Sequence, residues 1–129
     1  MLAIEGIYGS FVLQDSDHPK VFIATGTGLA PIMYMMRSVA DIEKLLLFGV
    51  QDSASLFYTE DIKKIPKLAS HIFLSREEIA GFRHGRIDLS GFAFPKESEF
   101  YICGNPAMVE DAVSTLQNQG FTKIYHEKF

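Results

Sequence analysis

The sequence predicts an α/β protein, a three-layer αβα sandwich around a five-stranded parallel sheet. Two observations carry that expectation. Continuous apolar runs such as Val21-Phe22-Ile23-Ala24, Leu45-Leu46-Leu47-Phe48 and Phe100-Tyr101-Ile102-Cys103 suit strands buried on both faces. Between these runs lie stretches with apolar residues near helical spacing, and strand–helix alternation implies parallel strands with helices on both sides.

Gly6-Ile7-Tyr8-Gly9-Ser10-Phe11-Val12-Leu13 reads as an opening strand, broken by the polar stretch from Gln14 to Pro19. Lys20-Val21-Phe22-Ile23-Ala24-Thr25 is the first sheet strand, bounded by Pro19 and Gly26. A helix follows over 32–39, with Pro31 in its first turn, where a missing N–H costs nothing. Residues 44–50 form the second strand. A helix is expected from Tyr58 to about Leu68, ended or kinked by Pro66. Residues 70–75 are the third strand. Residues 76–95 hold three glycines and Pro95 and read as loop with at most one helical turn. Residues 100–103 are the fourth strand. The clearest helix runs from Pro106 to Asn118: it opens with Asn105-Pro106, carries Met108, Val109, Ala112, Val113 and Leu116 on one face, and stops at Gly120. Residues 122–127 are the last strand.

With 129 residues, 47% of them hydrophobic, the chain is long enough for one full domain. Cys103 is the single cysteine, which removes disulfide frameworks and iron–sulfur clusters. Twelve basic against sixteen acidic residues argue against a partner recognised through nucleic-acid phosphates. No apolar run approaches the roughly 20 residues of a membrane span, and Glu5 interrupts any signal-peptide pattern. These bounds read as a cytoplasmic protein. His18, His71, His84 and His126 lack ligand spacing, so no metal site is expected.

In a parallel α/β sheet, ligands bind beyond the carboxyl ends of the strands, where strand order reverses. The segments to inspect are therefore 25–31, 49–52, 75–76 and 103–108. Thr25-Gly26-Thr27-Gly28-Leu29-Ala30-Pro31 is a strand–turn–helix junction whose glycines let backbone approach an anion at a helix N-terminus. It departs from G-x-G-x-x-G, with Pro31 at the place of the third glycine. Taken alone it is equally a diphosphate cradle or a plain tight turn. Cys103-Gly104-Asn105-Pro106-Ala107-Met108 is a second such junction. By itself, Cys103 reads as a small buried residue and Asn105-Pro106 as an ordinary helix start.

In combination, these segments resemble the nicotinamide-nucleotide domain of the ferredoxin–NADP reductase family of flavoproteins. Four motifs stand in the family's order. They are Ala24-Thr25-Gly26-Thr27-Gly28-Leu29-Ala30-Pro31; Gly49-Val50 with Leu56-Phe57-Tyr58; Leu74-Ser75-Arg76-Glu77; and Tyr101-Ile102-Cys103-Gly104-Asn105-Pro106-Ala107-Met108-Val109. Tyr125-His126-Glu127-Lys128-Phe129 is similar to the family's terminal strand.

The resemblance implies a Rossmann-like module binding NADPH or NADH. Thr25, Gly26, Thr27, Gly28, Leu29, Ala30 and Pro31 would hold the pyrophosphate. Gly104, Asn105, Pro106 and Met108 would wrap the nicotinamide ribose and its phosphate. Cys103 would sit beside the nicotinamide ring, with Glu127 near the contact with the flavin. Ser75, Arg76 and Arg86 resemble positions used around an adenosine 2′-phosphate, although Gln51 stands where many members carry another arginine. Tyr8, Gly9 and Ser10 resemble an FAD-holding segment, with Ile7 in place of its proline. Phe129 resembles a terminal aromatic that covers the flavin. On this reading, residues 1–18 are a remnant of a flavin-binding barrel with its linker, and 19–129 are the NAD(P)-binding domain. The chain alone is then expected to bind flavin poorly. In the parent protein, FAD would pass electrons to an iron–sulfur or haem protein. The other reading is a stand-alone nucleotide-binding or interaction domain without turnover.

Overall fold

The computed structural model describes residues 2–3, 11–52 and 59–128. Its centre is a six-stranded sheet in which every neighbouring pair is parallel. The strands are β3 (Lys20–Thr25), β4 (Lys44–Val50), β5 (Leu68–Leu74), β6 (Arg83–His84), β7 (Glu99–Gly104) and β8 (Ile124–Lys128), in the order β6-β5-β4-β3-β7-β8. The expected sheet thus gains a sixth strand, β6, which adds Arg83 opposite Phe73 and His84 opposite Leu74. Two residues inside a glycine-rich stretch carry no periodicity, which is why the sequence reads as loop there. Before the sheet, β1 (Leu2–Ala3) and β2 (Val12–Leu13) form a separate antiparallel ladder. The rest of the opening strand, residues 6–10, lies outside the described residues.

The continuous apolar runs split by alternation into two cores. Phe22, Ala24, Leu46, Phe48, Leu74, Tyr101 and Cys103 face one side, where Ile32, Met33, Met35 and Met36 of α1 (Leu29–Ser38) cover them. Ile62 of the short α2 (Thr59–Lys63) joins the same layer. Val21, Ile23, Leu47, Phe73, Phe100 and Ile102 face the other side, under Val109, Ala112 and Leu116 of α3 (Pro106–Asn118). The three-layer sandwich is therefore present. α2 is shorter than expected: it ends before Pro66, and Lys67 takes a left-handed φ of 55° that turns the chain into β5. No described helix is long and apolar enough to cross a membrane.

Residues 11–20 do not hang free of this body. Phe11 and Leu13 are buried in the α1-side core. Below the sheet, Glu99 accepts hydrogen bonds from Lys20 Nζ (2.6 Å), Ser16 Oγ (2.5 Å) and Tyr101 OH (2.8 Å), while Gln14 N donates to Tyr101 OH (2.9 Å). Lys20 and Glu99 are opposite one another in the β3–β7 register, and both are buried.

Candidate functional site

Sheet order reverses at β3, whose chain continues to β4 on one side while β7 lies on the other. The turns leaving β3 and β7 consequently meet at the carboxyl edge, the place where a doubly wound sheet opens a crevice. Thr25 Oγ1 accepts a hydrogen bond from Asn105 N at 2.9 Å and ties the two turns together. Two glycines make this approach possible. A Cβ on Gly28 would collide with the Cys103 carbonyl and lie 2.9 Å from Gly104 Cα. A Cβ on Gly104, at φ +144°, would collide with Thr25 Oγ1 and lie 2.7 Å from the Thr25 carbonyl oxygen. Gly26 holds φ +52° at the start of the Gly26–Gly28 turn.

The two helix starts differ electrostatically. α3 is capped by its own Asn105, whose Oδ1 accepts from Ala107 N (2.9 Å) and Met108 N (3.3 Å), with Pro106 supplying no donor. α1 has no side-chain cap and no acidic residue in its first turn. Its N-terminal N–H groups and the positive end of its dipole are thus left for an anion.

Beside this junction a cleft of about 900 Å³ opens on the α3 side of the sheet. That volume lies in the range of small-molecule and cofactor sites. Of the residues singled out from sequence, Thr25, Gly26, Ser75, Arg86, Asn105 and Met108 line it. Thr25 and Asn105 mark one end; Ser75 and Arg86 mark the other. Gly28, Leu29 and Pro31 are buried and position the turn instead of facing the cleft, and Ala30 is exposed outside it. Gly104 is buried beneath the turn, and Pro106 is exposed at the start of α3. Arg76 is exposed and does not line the cleft; its N–H donates to the Gln51 carbonyl at 2.8 Å, extending the β4–β5 ladder. The Thr27 side chain, Tyr8, Gly9, Ser10, the Leu56-Phe57-Tyr58 segment and Phe129 lie outside the described residues.

Cys103 is fully buried in the α1-side core, opposite Glu127 in the β7–β8 register. Burial, with a smaller contribution from the Glu127 charge, pushes its thiol up to about 12. It is a neutral thiol at physiological pH and not a thiolate nucleophile. Its side chain turns away from the α3-side cleft, while its carbonyl is pressed against Gly28 behind the junction. Glu127 is half-buried on the same sheet face as Cys103.

Apart from Arg86, sequence reasoning missed the far wall. Residues 85–90 all line the cleft, facing Asp111, Thr115 and Gln119 along α3. A signal existed in both segments. Ile87 and Leu89 alternate with Asp88 and Ser90, and Met108, Asp111, Thr115 and Gln119 recur at helical spacing. Ile87 rests over Gly49, where a Cβ would come within 3.0 Å of Ile87 Cγ1. Asp88 Oδ1 accepts from Ser90 N (3.0 Å) and Ser90 Oγ (2.7 Å), and these bonds hold its carboxyl below the usual range. Among the described residues, the cleft therefore carries one guanidinium, Arg86, and two carboxylates, Asp88 and Asp111.

Comparison with known proteins agrees with this geometry. The chain is 30% identical to the anthranilate 1,2-dioxygenase electron transfer component of Acinetobacter baylyi, covering 99% of this chain and 41% of that protein. It is 28% identical to the reductase component of propane 2-monooxygenase from Rhodococcus jostii, covering 99% and 40%. The chain thus spans about two-fifths of the length of these relatives. Among solved structures it is similar to a cytochrome P450 reductase of Amycolatopsis, with TM-score 0.84, 29% identity, and 94% of this chain matched to 41% of that one. The FAD/NAD-binding domain of nitric oxide dioxygenase from Vibrio cholerae shares the fold, with TM-score 0.88, 19% identity, and coverage of 94% and 55%. Residues 22–114, from the first sheet strand through most of α3, match the family described as the oxidoreductase NAD-binding domain, and the chain belongs to that family.

Proposed function

We infer that this chain binds NADPH or NADH and presents the nicotinamide to an FAD held by a partner domain, the parent protein being a flavoprotein reductase. The observation that carries the reading is the glycine-interlocked junction of the β3 and β7 turns beside an uncapped α1 N-terminus, in a chain of this family. The bound nicotinamide would supply a hydride. The residues of this chain would bind and orient it, which by itself accounts for a large part of such catalysis.

Backbone N–H groups of the Gly26–Gly28 turn and the α1 start would hold the pyrophosphate, with Thr25 fixing the turn against Asn105. Gly104, Asn105, Pro106 and Met108 would border the ribose and its phosphate, Cys103 would sit beside the nicotinamide ring, and Glu127 would lie near the contact with the flavin. Ser75, Arg86 and the adjacent Arg76 would meet the adenosine end. Reaching the Cys103 side chain requires a change in what covers it, since it has no exposed surface here. Residues 1–18 would belong to the flavin-binding side of a longer, cytoplasmic protein. Its FAD would then pass electrons to an iron–sulfur or haem protein. The relatives named as electron transfer and reductase components support that role.

The test is calorimetric titration of the chain with NADPH, NADH and FAD in turn. Binding of a reduced nicotinamide nucleotide without binding of FAD is the expected result, and the ratio of the two nucleotides assigns Ser75, Arg76 and Arg86. No binding of either nucleotide at millimolar concentration, in this chain and in a flavin-containing parent, would overturn the reading. Nucleotide binding with no turnover by that parent would support a binding domain without catalysis.

A further inference from the structure

Residues 85–90 of the cleft's far wall are themselves in no helix or strand. After the two residues of β6, residues 85–90 arch over the sheet edge as irregular chain, and every one of them lines the cleft. Its middle is packed into the α3-side core through Leu89 and Ile87, and its two ends are held separately. At the start, Gly85 N donates to the Leu74 carbonyl at 2.8 Å. At the close, Phe92 is gripped by Arg83: the guanidinium carbon lies 5.0 Å from the Phe92 ring centroid and 5.8 Å from that of Phe73 on β5. Arg83 Nε donates to His71 Nδ1 at 3.3 Å, and the His71 ring meets Phe92 edge-on at 5.1 Å. Phe92 then stacks on Phe94, which packs against Phe100 in the α3-side core. A residue two positions before the arch thus closes on one two positions after it, the geometry of a loop with a clasped neck.

We propose that Arg83, acting through Phe92 and His71, is a positioning residue that sets the 85–90 wall and thereby the nucleotide affinity of the cleft. The proposal rests on the nucleotide reading of that cleft. Arg83 itself does not line the cleft, so its effect on a ligand passes through the wall. A flat guanidinium over an aromatic face gains from both charge and stacking, which an ammonium or an aliphatic side chain reproduces in part or not at all. When the clasp is lost, the wall samples open arrangements, and apparent affinity falls by the fraction of molecules in which it is closed.

The experiment compares wild type, Arg83→Ala, Arg83→Lys and Phe92→Leu by two measurements. The first is hydrogen exchange of the 85–90 amides in the ligand-free chain. The second is the Kd of whichever reduced nicotinamide nucleotide wild type binds more tightly. Arg83→Ala and Phe92→Leu are expected to speed exchange in that segment about fivefold, the factor that about 1 kcal/mol of cation–π contact represents, and to weaken binding by the factor by which the closed fraction falls, at most about fivefold. Arg83→Lys is expected to fall between them and wild type, and a urea midpoint that still shows one cooperative transition in all three marks the fold as intact. Unchanged exchange in Arg83→Ala overturns the clasp. Faster exchange with unchanged Kd overturns the positioning role. If wild type binds neither nucleotide while Arg83→Ala still loosens the arch, the nucleotide reading falls and takes the positioning role with it, leaving the clasp in place.

Discussion

The buried pair beneath the sheet offers the sharpest test of the energetics. Lys20 Nζ and Glu99 Oε1 lie 2.6 Å apart, and both side chains are almost wholly removed from water. Lys20→Met keeps the length of the side chain and removes its charge, leaving the Glu99 carboxylate buried with only Ser16, Tyr101 and the half-exposed His18 around it. Breaking such a pair costs about 3–5 kcal/mol. That is a large fraction of the roughly 5–15 kcal/mol expected for the whole domain. Urea unfolding of the single variants and of Lys20→Met with Glu99→Gln forms a double-mutant cycle, in which the double variant is expected to recover part of the loss. The pH dependence has a defined sign. Burial alone would raise the Glu99 carboxyl, but the hydrogen bonds from Lys20, Ser16 and Tyr101 and the Lys20 charge outweigh it and hold it below its ordinary 4.5. Its contribution is present above that ordinary value and is lost as pH falls through the lower folded one. Glu99→Gln should accordingly flatten the acid limb of stability against pH. A loss below about 1 kcal/mol for Lys20→Met, the range of a surface pair, together with an unchanged acid limb, would refute the reasoning.

Three further outcomes follow from the site. Gly28→Ala forces a Cβ into the Cys103 carbonyl; it is expected to cost roughly 1–3 kcal/mol as overpacking and to abolish nucleotide binding, both measurable by unfolding and titration. Asn105→Ala removes the α3 cap and should cost about 1 kcal/mol in urea unfolding, with Asn105→Asp retaining most of the stability. Cys103→Ala should leave folding and adenine-end binding nearly intact while slowing hydride transfer in a flavin-containing parent, read by stopped-flow flavin reduction. Equal rates in variant and wild type would remove the role proposed for Cys103.

Much of the fold was legible because the signals are local. A strand covered on both faces must be apolar at consecutive positions, and β3, β4 and β7 are. Asn105-Pro106 and Gly120 bracket α3, and the expected 106–118 helix agrees with the observed one residue for residue. Where local signals conflict, boundaries moved. Pro66 and the left-handed Lys67 cut α2 to Thr59–Lys63; residues 64–67 form the turn that follows, and Leu68 joined β5. β6 left no trace in the sequence because its pairing with Phe73 and Leu74 is its whole definition.

By itself, then, the sequence determined the alternation of strands and helices, the two apolar faces, and the four turns at which a ligand site had to be sought. Each depends on residues within one turn or strand of one another. Tertiary structure alone decided that Gly28 is pressed against the Cys103 carbonyl, and that Thr25 Oγ1 ties its turn to the Asn105 N–H. It alone turned the Cys103 side chain into the core and made 85–90 a wall opposite α3. Those facts are distances between segments far apart in the chain, as Thr25 is from Asn105, and no local pattern encodes a distance that only the packing of the sheet creates.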